Sequence, residues 1–497
     1  MKVRALLASV LFLFILFLGA CSKKGINESG GASTTTGWEY NNTENGGFEV
    51  VQKYEPETGP GLVFVEGGSF TMGRVEQDLN YDWNNIPRRV TVSSFYMDET
   101  EVRNVDYREY LHWVGRVFAD FPEIYKHALP DTLVWRRPLA YNEPYVQYYF
   151  RHPAYNEYPV VGVNWLQAND YCAWRTDRVN EKILIDKGIL KVDPNQGAKE
   201  NFNTDAYLAG QYEGLVKQNL PSLDPNAKER KVRLEDGFLL PKYRLPTEAE
   251  WEFAAFGLIG NSVDERVYER RIYPWNGHNV RNDQKKVRGE MRANFVRGRG
   301  DYMGTAGRLN DKAEITAPVK EYWPNDYGLY CMAGNVNEWV YDVYRPLSFE
   351  DVEEFNPFRG NVFQELVRDE EGNVAEKDSL GRLRWKPVDA ANAVNRRNYR
   401  KADYINYLDG DQTSSISYTE PDTKPGSERM YSRDNTDKNF KSSLVADDVR
   451  VYKGGSWRDR AYWLSPGTRR FLKETESKDD LGFRCAMTRV GSPSGAN

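Results

Sequence analysis

Cysteine and histidine are the side chains of this sequence best suited to redox or metal chemistry, and both are scarce. There are four of each: Cys21, Cys172, Cys331 and Cys485, and His112, His127, His152 and His278. The histidines have no metal-ligand spacing such as i, i+4, which argues against a zinc or iron site built from them. Cys172 shares an apolar helical stripe with Trp165 and Ala168, a pattern typical of a small buried residue.

Cys21 stands at the end of a secretory signal. A basic start is followed by a predominantly apolar run, 5–17, and by the small residues Gly19 and Ala20. The run is too short to cross a bilayer, which takes about 20 apolar residues. The tetrad Leu18-Gly19-Ala20-Cys21 resembles the lipobox of bacterial lipoproteins, which implies cleavage of residues 1–20 and lipidation of Cys21. Ordinary cleavage near Ala20, leaving a plain cysteine, is the alternative.

The bulk composition narrows the class of protein. The 497 residues carry a formal net charge of −6 with a pI near 5.6, and their basic and acidic residues are interspersed, which disfavours nucleic-acid binding. With 32 Tyr, 13 Trp and a mean hydropathy of −0.72, we expect a loop-rich body with aromatic anchors and surfaces suited to protein contacts. Once Cys21 is lipidated, three cysteines allow at most one internal disulfide.

Local patterns predict the elements that would position a site. The Gly, Ser, Thr and Asn content of residues 21–50 is typical of a flexible tether. Residues 61–73 resemble a β-hairpin around Gly67 and Gly68, and 89–92 a further strand. We predict a helix with Asn104 as its N-cap and a second helix opened by a capping box between Thr247 and Glu250. The body, 51–490, contains three aperiodic segments, 116–158, 181–240 and 347–447, interpreted as insertions into one core.

Six motifs occur in order along the body. They are 65–73 (VEGGSFTMG), 159–165 (PVVGVNW), 244–252 (RLPTEAEWE), 334–339 (GNVNEW), 453–457 (KGGSW) and 482–485 (GFRC). Together they resemble the formylglycine-generating enzyme family. The resemblance implies an α+β fold, an irregular C-type-lectin-like fold with long loop insertions.

The resemblance also implies what the catalytic site should contain. Family enzymes bind copper through two cysteines shortly after the Gly-Gly-Ser motif and oxidise a substrate cysteine with oxygen. Residues 458–470 contain no cysteine, histidine or methionine, and copper(I) selects soft thiolates. We therefore expect no copper and no oxidase activity. The iron-dependent sulfoxide synthases of the same family need a histidine triad, which the four scattered histidines do not supply.

Calcium is the cofactor that the resemblance favours, as a structural ion. Matching the family's pattern assigns one site to Asn294, Phe295, Asp311 and Ala313, with oxygen ligands of the kind calcium prefers. A second family site would use positions 331, 334, 336 and 338, but position 331 is a cysteine, a poor calcium donor. Asn294 and Asp311 could instead be turn-stabilising residues.

A narrower resemblance concerns the segments 36–38, 46–48, 57–68, 129–135, 151–155 and 174–180. They resemble the GldJ group of gliding-motility lipoproteins, paralogous to the GldK (or PorK) group, which accompany the type IX secretion machinery. This implies an outer-membrane lipoprotein whose partners are GldK/PorK- and GldN/PorN-like envelope proteins. The residues after Cys21, Ser22-Lys23-Lys24-Gly25, include no acidic cluster, so we expect the periplasmic face.

Three functions are compatible with these observations. The first is a non-catalytic assembly lipoprotein whose insertions bind other envelope proteins, with 347–447 as the predicted interface because it carries acidic and basic runs. The second is a calcium-dependent, glycan-binding lectin-like lipoprotein. The third is an active formylglycine-generating oxidase with a relocated site, which the missing cysteines disfavour.

Overall fold

The computed structural model describes residues 31–51, 57–74, 84–298, 304–305, 307–344, 354–360, 364–388 and 448–491. Cys21 and the predicted signal peptide lie outside these residues. Of the helices within these ranges, none combines the length and apolarity that a membrane span requires.

Two four-stranded sheets organise the larger compact unit. The first contains β1 (Leu62–Val65), β4 (Phe95–Asp98), β7 (Tyr243–Arg244) and β14 (Ala486–Thr488). Its order is β1-β4-β14-β7 and all its pairs are antiparallel. Because β14 lies between β4 and β7, the strand that follows the last motif is in the same sheet as β1, which ends at the first residue of the first motif.

The second sheet brings the two glycine motifs together. It contains β8 (Asn337–Val343), β11 (Val449–Lys453), β12 (Arg470–Lys473) and β13 (Leu481–Gly482), in the order β12-β11-β8-β13. Strand β13 is parallel to β8, and the other pairs are antiparallel. Lys453 pairs with Glu338, so the turns that precede β8 and follow β11 meet at one end of the sheet.

The hairpin predicted at 61–73 does not form. Strand β1 pairs with β4, whereas β2 (Gly68–Met72) pairs with β3 (Arg88–Val92) in a separate two-stranded sheet. At Gly67 the chain passes against the backbone after β3, where a Cβ atom would lie 2.3 Å from the Val92 carbonyl oxygen. Gly67 and Gly68 therefore lie where the chain crosses from one sheet to another, and not in a tight turn.

Seven α-helices lie within the described residues. They are α1 (Asn104–Val117), α2 (Pro122–Ala128), α3 (Glu143–Tyr148), α4 (Trp165–Asp186), α5 (Thr204–Leu208), α6 (Glu248–Phe256) and α7 (Val263–Val267). The capping box is confirmed, since the Glu250 amide donates to Thr247 Oγ1 at 3.2 Å and the Thr247 amide donates to the Glu250 carboxylate at 2.9 Å. Asn104 is the first helical residue and not the cap: its side chain donates to the carbonyls of Tyr149 and Tyr155.

The main hydrophobic core lies among β2, β3, α6, β8 and β11. Trp251 and Phe253 of α6 pack there with Val340 of β8 and Val451 of β11, all buried. Phe70 meets Phe253 edge-on with centroids 5.3 Å apart. This packing fixes α6, and with it the acidic residues that α6 contributes to the site.

The three segments interpreted as insertions differ from one another. Segment 116–158 contains α2 and α3, and its Trp135 and Tyr149 pack together 4.8 Å apart. Helix α4 continues past residue 181, where the second segment was expected to begin. Of segment 347–447, the described part is 354–360 and 364–388, including the hairpin of β9 (Gln364–Leu366) and β10 (Trp385–Pro387).

Part of the predicted tether has defined structure. Residues 31–51 belong to a second compact unit with Ile183–Val192 and Leu215–Leu239, which includes β5 (Leu220–Pro221) and β6 (Glu229–Arg230). Arg230 forms ion pairs with both Glu49 and Asp236 in that unit. The polar composition of 31–50 concealed the Glu49–Arg230 ion pair, because its two residues are about 180 positions apart in the sequence.

Candidate functional site

The turns after β11 and before β8 form the framework of the site. The Gly334 amide donates to the Gly454 carbonyl at 3.0 Å, and the Trp457 amide donates to the Asn335 carbonyl at 2.8 Å. Gly334 has a positive φ of 76°, and a Cβ atom there would lie 2.3 Å from the Asn294 carbonyl oxygen. Close backbone approach therefore requires glycine at this position.

The segment expected to hold copper cysteines is filled by ion pairs. Arg458 pairs with Asp479 at 2.6 Å, and Asp459 pairs with Arg470 at 2.6 Å. Ser456 donates to Asp459 at 2.7 Å. These side chains are hard acids and bases that bind one another, so the segment has no soft ligand for copper(I).

The three cysteines of the body lie elsewhere and are buried. The Sγ atoms of Cys172 and Cys485 are 3.4 Å apart, which brings together the two thiols able to form the one internal disulfide. The Cys331 Sγ donates to the Val319 carbonyl, and burial raises the pKa of the Cys331 thiol well above its ordinary value. The prediction that Cys172 is a core residue is confirmed.

No cluster of three or more His, Cys, Asp or Glu side chains suited to a metal ion occurs in the described part of the chain. The four histidines thus do not meet within it.

A buried charge network joins α6 to the second sheet; we define it as Glu248, Glu252, Asp342, Lys453 and Arg469. Lys453 Nζ lies 2.9 Å from Glu252 and 3.2 Å from Glu248, and Arg469 donates to Glu248 at 2.9 Å. Burial opposes ionisation of Glu248, but Arg469 and Lys453 outweigh it and lower its pKa. Every ion of these pairs is buried, so each depends on its partners.

Asp342 behaves differently in this network. It accepts the Glu248 amide at 2.7 Å and the Arg359 amide at 3.1 Å. Burial, reinforced by the Glu248 carboxylate, raises the pKa of Asp342 to about 7. The network therefore contains one carboxyl group that titrates near neutrality.

The positions of the second calcium site do not fit that ion. Glu338 is bound by Arg484 through two bonds of 2.6 Å and by the Trp251 indole at 2.7 Å. Glu101 lies beside them, accepting two bonds from Asn335, and burial followed by repulsion from Glu338 raises its pKa well above the ordinary value. The Arg484 guanidinium therefore balances the charge of Glu338, as a bound metal cation would.

The first calcium position has the right donors. Asn294 is buried and its Nδ2 donates to the Ile315 carbonyl at 2.7 Å, which holds it against the segment containing Asp311 and Ala313. Asp311 is also buried, and the Tyr322 hydroxyl donates to its carbonyl at 2.5 Å. Carboxylate, amide and carbonyl oxygens in one buried region fit calcium in kind.

A basic cleft adjoins the segment where cysteines were expected. Its volume is about 880 Å³, and Arg460, Ala461 and Tyr462 form one wall. The rest of the lining comes from residues 279–283, 288–289 and 295–297, which include Arg281, Arg288 and Arg297. The positively charged groups of the lining are all arginine guanidinium groups, which bind carboxylate and phosphate.

Sequence reasoning missed this cleft. Basic and acidic residues are interspersed along most of the chain, yet residues 281–299 contain seven basic and two acidic residues in a chain of net charge −6. That local excess was the available signal. Only the fold brings residues 281–299 beside Arg460, because the two segments are more than 150 residues apart in the sequence.

Comparison with known proteins assigns the family. The family pattern of the sulfatase-modifying factor enzyme 1-like domain matches residues 47–384, more than half of the chain. The chain belongs to this family. The predicted α+β fold of the formylglycine-generating enzyme type is thereby confirmed.

Relatives include catalytic and inactive proteins. The chain is 25% identical over 390 residues to the mouse formylglycine-generating enzyme, covering 69% of this chain and 80% of the relative. It is 26% identical over 311 residues to the mouse inactive C-alpha-formylglycine-generating enzyme 2, covering 58% and 70%. Among solved structures, PvdO from Pseudomonas aeruginosa is 14% identical, with a TM-score of 0.40 and coverage of 88% and 100%.

Proposed function

We propose that this protein is a non-catalytic outer-membrane lipoprotein that acts as a protein–protein assembly component of the gliding-motility and type IX secretion machinery. A lipidated Cys21 would anchor it at the periplasmic face. It would be a lipoprotein of the GldJ type, with GldK/PorK- and GldN/PorN-like proteins as partners. The body would then serve as a rigid binding scaffold.

One observation carries the non-catalytic part of this proposal. The segment 458–470, where the family's copper ligands are expected, contains no cysteine, histidine or methionine, and Arg458, Asp459, Arg469 and Arg470 are held in ion pairs. The remaining thiols are buried in the core. The existence of relatives named inactive supports the same interpretation, because the fold persists in proteins without the activity.

Calcium would stabilise this scaffold. Asn294, Phe295, Asp311 and Ala313 are all buried, whereas a sugar-binding calcium needs an exposed coordination position. The assembly role is for this reason favoured over the calcium-dependent glycan-binding alternative.

The assembly role is tested with the segment from 347 to 447. Most of its acidic run, 350–354, and all of its basic run, 395–401, lie outside the described residues. We expect a chain in which 389–447 is replaced by a Gly/Ser bridge to fold and remain membrane-bound, because β11 and β8 lie outside the deletion. It should no longer co-purify with the secretion and motility proteins from detergent-solubilised outer membrane.

The matched controls are the unaltered chain and Cys21→Ala, which should leave the membrane fraction. If the unaltered lipoprotein co-purifies with none of the machinery, the assembly role is wrong. If the shortened chain still assembles and supports secretion, the contact lies in the retained residues 347–388 or in another segment, 116–158 or 181–240.

A further inference from the structure

The basic cleft has an apolar floor that is fixed in place. Phe295 is buried in a cluster with Leu464 and Ala333, and Val280 and Ala461 pack against the same cluster. The Val296 amide donates to the Asp459 carbonyl at 2.8 Å, which joins the two walls of the cleft. The floor is therefore shaped by the core, and its form does not depend on a ligand.

The rim of the cleft is cationic. Arg288, Arg297 and Arg460 are exposed, and Lys285 and Lys286 are exposed beside Arg288. The one acidic residue of the lining, Asp283, is paired with Arg292 at 3.0 Å. Positive charge thus predominates at the opening, although the whole chain is acidic.

Two arginines also fix the geometry of the rim. Arg281 donates to the carbonyls of Gly289 at 2.5 Å and Leu309 at 2.9 Å, and Arg460 donates to the Arg297 carbonyl. Among the described residues, the side chains of Arg288 and Arg297 form no ion pair. These two guanidinium groups are available to an incoming carboxylate.

We propose that this cleft binds an acidic peptide segment of a partner protein, with carboxylates on the arginine rim and apolar side chains on the floor. The proposal rests on the assembly role and specifies the chemistry of the partner. Arginine forks bind carboxylates through paired hydrogen bonds, and the volume of about 880 Å³ is within the usual range for ligand sites.

Other anionic ligands fit less well. Tyr462, a half-buried aromatic ring of the lining, has Arg74 over its face at 4.4 Å from the centroid and Trp463 perpendicular to it at 4.9 Å, which disfavours stacking of a nucleic-acid base. A phosphate group alone would leave the floor of Val280, Phe295, Val296 and Ala461 unused. A peptide that alternates acidic and apolar side chains uses both surfaces.

The test measures binding of a labelled peptide, Gly-Glu-Leu-Glu-Phe-Asp-Gly, to the full lipoprotein in detergent by fluorescence anisotropy. Its neutral partner is Gly-Gln-Leu-Gln-Phe-Asn-Gly. Because the rim acts through charge, we expect the acidic peptide to bind at least about tenfold more tightly, with affinity falling as salt rises. The double substitution Arg288→Glu and Arg297→Glu should weaken the acidic peptide by at least about tenfold.

The matched control is Arg151→Glu with Arg384→Glu, two exposed arginines outside the cleft lining, which carry the same change of charge. It should alter binding by less than about twofold, as expected for distant screened charges. Equal affinity for the two peptides overturns the proposal. So does equal weakening by the two double variants, which indicates a general charge effect.

Competition separates the remaining sources of negative charge. Inorganic phosphate, or vesicles of anionic phospholipid, that displace the peptide fully at matched ionic strength would identify an anion or lipid site and overturn the proposal. If the acidic peptide does not bind while the lipoprotein still co-purifies with the machinery, the cleft proposal fails and the assembly role stands. If the peptide binds but nothing co-purifies, the assembly role fails instead.

Discussion

The buried charge network and the basic cleft are neighbours that use charge in opposite ways. Lys453 and Arg469 of the network bracket in sequence the segment that supplies Arg460 to the cleft. In the network, each cation is buried against carboxylates from another element. In the cleft, guanidinium groups face solvent. The difference separates charges that hold the fold together from charges left available for recognition.

Loss of Lys453 should produce the largest effect. Lys453→Met leaves Glu248 and Glu252 buried with one cation fewer, and removing one partner of a buried ion pair costs about 3–5 kcal/mol of unfolding free energy. Urea denaturation at neutral pH measures this change. A loss below about 1 kcal/mol, the range of exposed ion pairs, would show that the network does not stabilise the fold.

The matched substitution in the cleft is Arg288→Met. Because Arg288 is exposed, its loss should change the unfolding free energy by no more than about 0.5 kcal/mol. A cost comparable to that of Lys453→Met would remove the distinction between the two regions.

The pH dependence sharpens the account of the network. The pKa of Asp342 is raised to about 7 by burial and by Glu248. A carboxyl group with a raised folded-state pKa contributes stability that is full below its unfolded pKa and is lost as the pH rises through the folded value. We therefore expect the wild type to lose up to about 4 kcal/mol between pH 4 and 8 relative to Asp342→Asn.

Denaturation curves of both proteins across that range provide the measurement. The difference between them should be constant above pH 8, where Asp342 is ionised in both states. A wild type that gains stability relative to Asp342→Asn as the pH rises from 4 to 8 would have the wrong sign for a raised pKa.

Calcium extends the comparison to a bound ion. If Asn294, Phe295, Asp311 and Ala313 bind calcium in the native state, free calcium at about one hundred times the dissociation constant stabilises the fold by about 2.7 kcal/mol. Thermal unfolding with calcium or chelator measures this effect. Asp311→Ala should abolish the response, whereas Asp283→Ala, at an exposed carboxylate, should retain it. A full response in Asp311→Ala would show that the site is misassigned.

The sequence predicted local features well and long-range pairings less well. The capping box at Thr247 depends on residues three positions apart, and the motif order identified the fold class. The sequence predicted that β1 pairs with β2, whereas β1 pairs with β4. This could not be inferred, because a glycine at position 67 is equally compatible with a tight turn and with a close approach of two backbone segments. The cleft was missed because its walls are joined only in the folded chain.

The most direct test of the central claim is an assay for oxidation of a substrate cysteine. The purified chain is supplied with copper(I), oxygen and a cysteine-containing peptide, and the products and bound metal are measured by mass spectrometry. Because 458–470 contains ion pairs in place of soft ligands, we predict no stoichiometric copper and no formylglycine. Conversion of the peptide in even a single turnover would contradict the non-catalytic account.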